Sequence, residues 1–226
     1  MAPFWILFMV LVMISWLVSS RLKSKIREYS TLSLNSNLSG KEVAEKMLKE
    51  NQIFDVKVVS VEGTLTDHYN PATKTVNLSY DVYHGRNISA AAVAAHECGH
   101  AIQHSTLYSF LMFRSALVPF VSFASNWTQW ILLAGVLLIA VAPQILLLGI
   151  ILFAATTLFS FLTLPVEIDA SNRALAWLQH TTLTNSDTHP KAAEALRMAA
   201  YTYVIAALTS LATLIYYISV YSNRRG

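Results

Sequence analysis

The chain has 226 residues, of which 54% are apolar and only 13% are charged, whereas a soluble globular domain usually carries about a quarter charged residues. This composition argues against a soluble single-domain protein. The charge balance, 16 Lys and Arg against 13 Asp and Glu, is too small and too dispersed to predict nucleic-acid binding. A single cysteine, Cys98, excludes an internal disulfide framework.

The charged residues are unevenly distributed along the chain. Residues 1–20 carry none, the stretch between Glu97 and Glu167 carries only Arg114, and residues 198–223 carry none. A helix of about 20 apolar residues crosses the hydrocarbon core of a bilayer. The pattern therefore predicts a mostly α-helical integral membrane protein with about four transmembrane helices.

Residues 1–20 are predicted to form an N-terminal transmembrane anchor. A cleaved signal peptide is the alternative, but the tract has no basic segment before it and no clean small-residue cleavage pattern. A basic cluster follows the tract directly, and the positive-inside rule places such a cluster on the cytoplasmic face of the membrane. Its members are Arg21, Lys23, Lys25 and Arg27.

Residues 21–105 are predicted to form a small α+β domain at the membrane surface. Ser39 and Glu42 fit a capping box, which predicts a helix over residues 40–51. Ser89 is the predicted cap of a second helix, which leads into the histidine at position 96. Between the helices, three β-rich segments predict a short antiparallel sheet: residues 54–61, 64–69 and 74–79.

The rest of the chain alternates between the bilayer and its surface. Residues 106–164 are predicted to form an interfacial segment and a transmembrane hairpin that turns near Pro143. Residues 165–197 are predicted to begin a new helix, with Pro165 in its first turn. Residues 198–226 complete the chain with a C-terminal transmembrane helix and a short tail.

Residues 96–100 form an H-E-x-x-H motif. In a helix, His96 and His100 project from one face and can bind the same metal ion. Glu97 lies on the adjoining part of that face, where it can act as a general base on water. Two histidines brought together by chance are the alternative, which the position of the motif on a predicted helix disfavours.

A catalytic zinc site needs a third protein ligand and keeps its fourth position for water. After Glu97, the next carboxylates are those of Glu167 and Asp169. A carboxylate placed directly after an apolar tract is costly unless it is paired or bound to metal. We therefore predict Glu167 as the third ligand, with Asp169 as the alternative. The preferred role of Asp169 is that of a partner of a ligand histidine or of Arg173.

The histidine motif and Glu167 can meet only if an even number of membrane crossings separates them. Two crossings require residues 107–124 to be interfacial or to belong to a longer tilted helix. If the histidine helix is cytoplasmic, Arg224 and Arg225 lie outside, against the positive-inside rule. The four charges beside the first helix outweigh these two, so the catalytic domain is predicted on the cytoplasmic face of the cell membrane.

Four segments of the chain resemble the YugP-like membrane-bound neutral zinc metallopeptidases, which are distantly similar to membrane proteases of the HtpX and Ste24 type. The resemblance covers nearly the whole chain and rests on residues 39–40, 67–76, 96–103 and 167–171. It implies a zincin-like domain that acts on a peptide or protein substrate, membrane proteins among the candidates. One catalytic Zn²⁺ would be held by His96, His100 and Glu167, with Glu97 as base.

One position departs from the pattern of the wider protease group. Those relatives carry an Asp four residues after the third-ligand Glu, where this chain has Ser171. Asp169 or Asn172 is expected to supply the missing contact to a ligand histidine. Cys98 points away from the metal-binding face and is expected to be a small packing residue.

The sequence alone does not decide two features of the predicted catalytic site. The strand at 74–79 fits either an exposed edge that pairs with an extended peptide or an ordinary hairpin strand. Several side chains are of a type that can stabilise an oxyanion, but spacing selects none of them: Tyr201, Tyr203, His68, His104 and Arg173.

The predicted function is that of a membrane-bound zinc endopeptidase, with the lipid bilayer and a peptide substrate as partners. An intramembrane site-2-type protease is the first alternative, but the polar residues Asp81 and Arg86 shortly before the motif place it at the membrane surface. A non-catalytic zinc scaffold or chaperone-like protein is the second. Structural zinc sites usually fill the fourth position with Cys or His, and the chain has no paired cysteines.

Overall fold

The computed structural model describes residues 2–34 and 36–223, and these form two compact units. The first, which we call the helical unit, contains residues 112–164 and the described parts of 1–17 and 202–226. The second, which we call the mixed unit, contains residues 18–111 and 165–201. Arg224 and Arg225, predicted to lie on the outer side of the membrane, fall beyond the described residues.

Within the residues that the structure describes, four long helices contribute to the helical unit. Each is long and apolar enough to cross a membrane, in agreement with the predicted number. They are α1 (Ala2–Tyr29), α5 (Ser109–Leu137), α6 (Pro143–His180) and α7 (His189–Ser222).

Prolines do not interrupt two of these helices. Helix α5 runs through Pro119. Residues 107–124 were predicted to be either interfacial or part of a longer helix, and the structure shows the longer helix. Helix α6 runs through Pro165, and the prediction of a new helix beginning there is wrong. A proline costs one backbone hydrogen bond inside a helix, and fully buried Val166 and Ala170 supply packing that offsets this loss. Glu167, the predicted third ligand, therefore lies on the same helix as the apolar tract before it.

The mixed unit contains a three-stranded sheet in the order β1-β3-β2. Strand β3 pairs in parallel with β1 and antiparallel with β2, so the prediction of a purely antiparallel sheet is wrong. The alternative of an exposed edge at 74–79 is also wrong, because β3 is the central strand. The strands are β1 (Lys57–Val61), β2 (His68–Asn70) and β3 (Thr75–Ser79).

Helix α2 (Gly40–Glu50) begins with the predicted capping box. The backbone N–H of Ser39 donates to Glu42 Oε2 at 2.7 Å, and the backbone N–H of Glu42 donates to Ser39 Oγ at 3.3 Å. The fully buried side chains of Val43 and Met47 belong to the core of the mixed unit.

Helix α4 (Ile88–Ser105) carries the histidine motif and follows the short helix α3 (Tyr80–His84). The cap of α4 is Asn87, whose Oδ1 accepts from the backbone N–H of Ala90 at 2.8 Å. Ser89, predicted as the cap, is instead buried in the first turn. Asn caps as well as Ser does, and local spacing alone did not distinguish the two positions. The alanines of α4 are almost completely buried. Because their side chains are small, neighbouring elements can approach this helix closely.

Candidate metal centre

Three predicted ligand residues converge between α4 and the carboxyl-terminal half of α6, within the mixed unit. Glu167 Oε2 lies 3.2 Å from His96 Nε2 and 3.5 Å from His100 Nε2. The ligand atoms of all three residues lie within 4.8 Å of one another. Zinc–nitrogen and zinc–oxygen bonds of 2.0–2.1 Å around a tetrahedral ion place ligand atoms about 3.3 Å apart. The observed separations from Glu167 therefore fit a zinc ion.

A glycine allows this convergence. A Cβ atom on Gly99 would lie 2.6 Å from the backbone oxygen of Ala170 and 3.0 Å from its Cα. Both atoms belong to the backbone of α6, so they cannot turn away as a side chain can. Gly99 thus permits the close approach of α4 and α6 that brings their ligand residues together.

Each histidine has a polar neighbour on its other ring nitrogen. Ser171 Oγ lies 3.1 Å from His96 Nδ1, and Gln103 Oε1 lies 3.0 Å from His100 Nδ1. Such contacts orient the ring of a ligand histidine and select its tautomer. Ser171, the position that departs from the wider protease pattern, therefore makes the contact that was expected of Asp169 or Asn172.

Asp169 pairs with Arg173, one of its two predicted partners. Its Oδ2 accepts from Arg173 Nε at 2.6 Å and from Gln103 Nε2 at 2.8 Å. Asp169 is therefore linked to His100 through Gln103. Asn172, the other residue considered, is exposed.

Glu97 lies beside the three candidate ligands with only 7% of its surface exposed. Burial raises the pKa of its carboxyl above the usual value, and the neighbouring histidines His96 and His100 act in the opposite direction. A raised pKa brings a carboxyl group closer to the range in which it can accept and return a proton near neutral pH.

Cys98 occupies the opposite side of α4. Its thiol is fully buried and lies 3.6 Å from the backbone oxygen of Ala44 on α2. Burial raises the pKa of this thiol, which disfavours the reactive thiolate. These features agree with the predicted packing role.

Comparison with known proteins identifies the family. A family profile described as "Putative neutral zinc metallopeptidase" matches residues 4–222. The chain belongs to this neutral zinc metallopeptidase family. The chain is also 40% identical over 212 residues to the "Putative membrane protease YugP" of Bacillus subtilis (strain 168). The aligned region covers 94% of this chain and 93% of the relative. No solved structure matches it.

These matches confirm the resemblance predicted from the sequence. Together with the four membrane-length helices, they make this metallopeptidase a multi-pass membrane protein. Its family implies zinc, and the three converging residues are of the types that zinc prefers.

Three of the residues considered as oxyanion donors are engaged in other contacts of the metallopeptidase. His104 Nδ1 lies 2.8 Å from the hydroxyl of Tyr69, and His68 Nδ1 lies 2.8 Å from the backbone oxygen of Thr66. Arg173 is held by Asp169. The other two residues considered, Tyr201 and Tyr203, lie on α7 and are exposed.

Gln103 and Gly99 were not assigned a role from the sequence. Gln103 follows His100 by three positions, so helical spacing alone places it within reach of that ring. The role of Gly99 depends on which helix packs against α4, and no local pattern contains this information.

Proposed function

We propose that the protein is a membrane-bound zinc endopeptidase in which His96, His100 and Glu167 hold one zinc ion and Glu97 is the general base. The convergence of three ligand atoms within 4.8 Å of one another, with Glu167 at zinc-like separations from both histidines, supports this proposal. Three protein ligands leave the fourth position open, as catalytic zinc sites require and structural sites usually do not. This favours an enzyme over a zinc scaffold or chaperone-like protein.

A zinc ion, when bound, lowers the pKa of water and polarises the scissile carbonyl. The carboxylate of Glu97 accepts the proton of the attacking water and delivers it to the nitrogen of the leaving amine. Its burial excludes bulk water from this transfer. Ser171 and Gln103 hold the two imidazole rings so that each Nε2 faces the carboxylate of Glu167.

The substrate requires an approach to a site whose histidine side chains are only 12% and 10% exposed. A cleft of about 610 Å³ lies along the amino-terminal part of α4 and includes Val93 in its lining. Val93 precedes His96 by one helical turn. We propose that this cleft binds the part of the substrate peptide that lies on one side of the scissile bond.

The position of the motif favours cleavage at the membrane surface. Helix α4 is not among the four helices that are long and apolar enough to cross a bilayer, and it packs with α2 in the core of the mixed unit. A site-2-type protease would carry the motif on a membrane-spanning helix. The basic cluster after residue 20 supports an active site on the cytoplasmic face, by the positive-inside rule.

Zinc content tests the ligand assignment. In detergent-purified protein, Glu167→Ala is expected to reduce bound zinc from about one ion per chain to a small fraction, because a two-ligand site binds zinc poorly. Asp169→Ala is expected to weaken zinc binding by about 10–100-fold, since it removes an outer partner. Metal analysis after dialysis against graded zinc concentrations measures both effects.

Asp187→Ala is the control for this experiment, because Asp187 is an exposed carboxylate that pairs with Lys191. It should bind as much zinc as the parent. A larger loss in Asp169→Ala than in Glu167→Ala would move the third ligand to Asp169. Absence of zinc from the parent would refute the proposed function.

Thiol labelling in intact cells tests the orientation. In a Cys98→Ala background, a cysteine at the exposed Lys49 of α2 is expected to resist an impermeant thiol reagent. A cysteine at Gln144, at the start of α6, is expected to react, because one crossing by α5 separates it from the mixed unit. The opposite labelling pattern would put the active site outside the cell.

A further inference from the structure

The side chain of Gln103 is completely buried, with 0% of its surface exposed. Its Nε2 donates to the backbone oxygen of Val166 and to Asp169 Oδ2, both at 2.8 Å. Its Oε1 lies 3.0 Å from His100 Nδ1. Every polar atom of this amide therefore has a partner, as a buried amide requires.

The partners determine how the amide is oriented. A backbone carbonyl and an ionised carboxylate can only accept hydrogen bonds, so the NH₂ group of Gln103 must face Val166 and Asp169. The oxygen then faces His100 and accepts from its Nδ1–H. In the neutral ring this leaves the lone pair on Nε2, the atom directed toward Glu167.

The same amide also fixes the neighbouring helix. Val166 immediately precedes Glu167, so the bond from Gln103 ties α4 to α6 beside the third candidate ligand. Asp169, the other acceptor, is held by Arg173, and the guanidinium of Arg173 lies 5.9 Å from the ring centre of Tyr108. A chain of contacts thus runs from the partly exposed Arg173 to His100.

We propose that Gln103 is a positioning residue of the metal centre. It holds His100 in the tautomer that presents Nε2, and it sets the position of α6 so that His100 and Glu167 share one ion. Asp169 polarises the Gln103 amide, which strengthens its oxygen as an acceptor and makes the imidazole a better ligand. This inference rests on the proposed zinc site.

The zinc dissociation constant, measured by competition with a chromogenic chelator, tests the proposal. Gln103→Met fills the same space without hydrogen bonds and is expected to weaken zinc binding by about 10–100-fold. Asp169→Asn keeps an acceptor for Gln103 but removes the charge, and it is expected to weaken binding by several-fold. If Gln103 only filled space, both variants would bind zinc with the affinity of the parent.

The matched control is Asn77→Ala, which removes another buried amide of the mixed unit. Asn77 Nδ2 donates to His68 and Thr75 in the sheet. The variant is expected to lose thermal stability and to keep the zinc affinity of the parent. Equal losses of zinc affinity in Asn77→Ala and Gln103→Met would assign the effect to general unfolding and overturn the proposal.

Two further outcomes separate this inference from the proposed function. Parent affinity in Gln103→Met would overturn the positioning role and leave the zinc site intact. Parent affinity in Asp169→Asn alone would remove Asp169 from the chain of contacts. No zinc in the parent would overturn the site itself, and the role of Gln103 with it.

Discussion

Replacing Glu97 by Gln is expected to abolish peptide hydrolysis while zinc stays bound. The amide has nearly the same shape as the carboxylate, so it fits a position that is 7% exposed. It cannot accept the proton of the attacking water, and loss of a general base usually lowers a rate by about 10²–10⁴-fold. Zinc is retained because the three ligand atoms belong to other residues.

The measurement is cleavage of a denatured casein-like substrate by detergent-purified protein, with metal analysis of the same samples. Glu45→Gln provides the control, since Glu45 is exposed on α2 and pairs with Lys41, and it should cleave at the parent rate. A chelator should stop the parent and added zinc should restore it. Cleavage by Glu97→Gln at the parent rate would show that another group is the base.

Gly99→Ala is expected to destroy the metal site without changing any ligand. The added Cβ would meet the backbone oxygen of Ala170 at 2.6 Å, a contact that only separation of the two helices can relieve. Glu167 lies 3.2 Å and 3.5 Å from the two histidine nitrogens, so a shift of about 1 Å is large compared with the tolerance of zinc bond lengths. We expect zinc and activity to be lost together.

Crowding a packed interior costs about 1–3 kcal/mol, so Gly99→Ala should also lower the unfolding temperature. Gly149→Ala on α6 is the control, because its added Cβ would crowd Leu132 of the helical unit, with the side chain at 2.8 Å and the backbone nitrogen at 3.2 Å, and not the elements that carry the candidate ligands. That variant should bind zinc like the parent. Full zinc binding and stability in Gly99→Ala would contradict the close approach of the helices.

The three candidate ligand residues, which the structure brings together, could be selected because the sequence offers few choices. The spacing of His96 and His100 is local, and Glu167 and Asp169 are the first carboxylates after a long apolar tract. The capping box at Ser39 is equally local. Such signals depend on neighbouring residues and do not require the fold to be known.

The features that the sequence predicted wrongly or left unassigned depend on contacts between residues far apart in the chain. Strand β3 became the central strand because β1 pairs with it in parallel, and strand order is not contained in the β-propensity of residues 74–79. The path of α6 through Pro165 depends on packing around Val166. Ser171 contacts His96, and Gln103 contacts Val166 and Asp169, only because α4 and α6 meet. Spacing could predict only the contact of Gln103 with His100.

The continuity of α6 has a consequence for biosynthesis. The ribosome delivers His96 well before Glu167, which follows 71 residues later on a helix that begins at Pro143. In the proposed enzyme, a nascent chain that carries the histidines still lacks the third ligand until α5 and the apolar part of α6 have been synthesised. Under the proposed function, proteolytic activity therefore arises only after two of the membrane-length segments, α5 and the apolar part of α6, have been made.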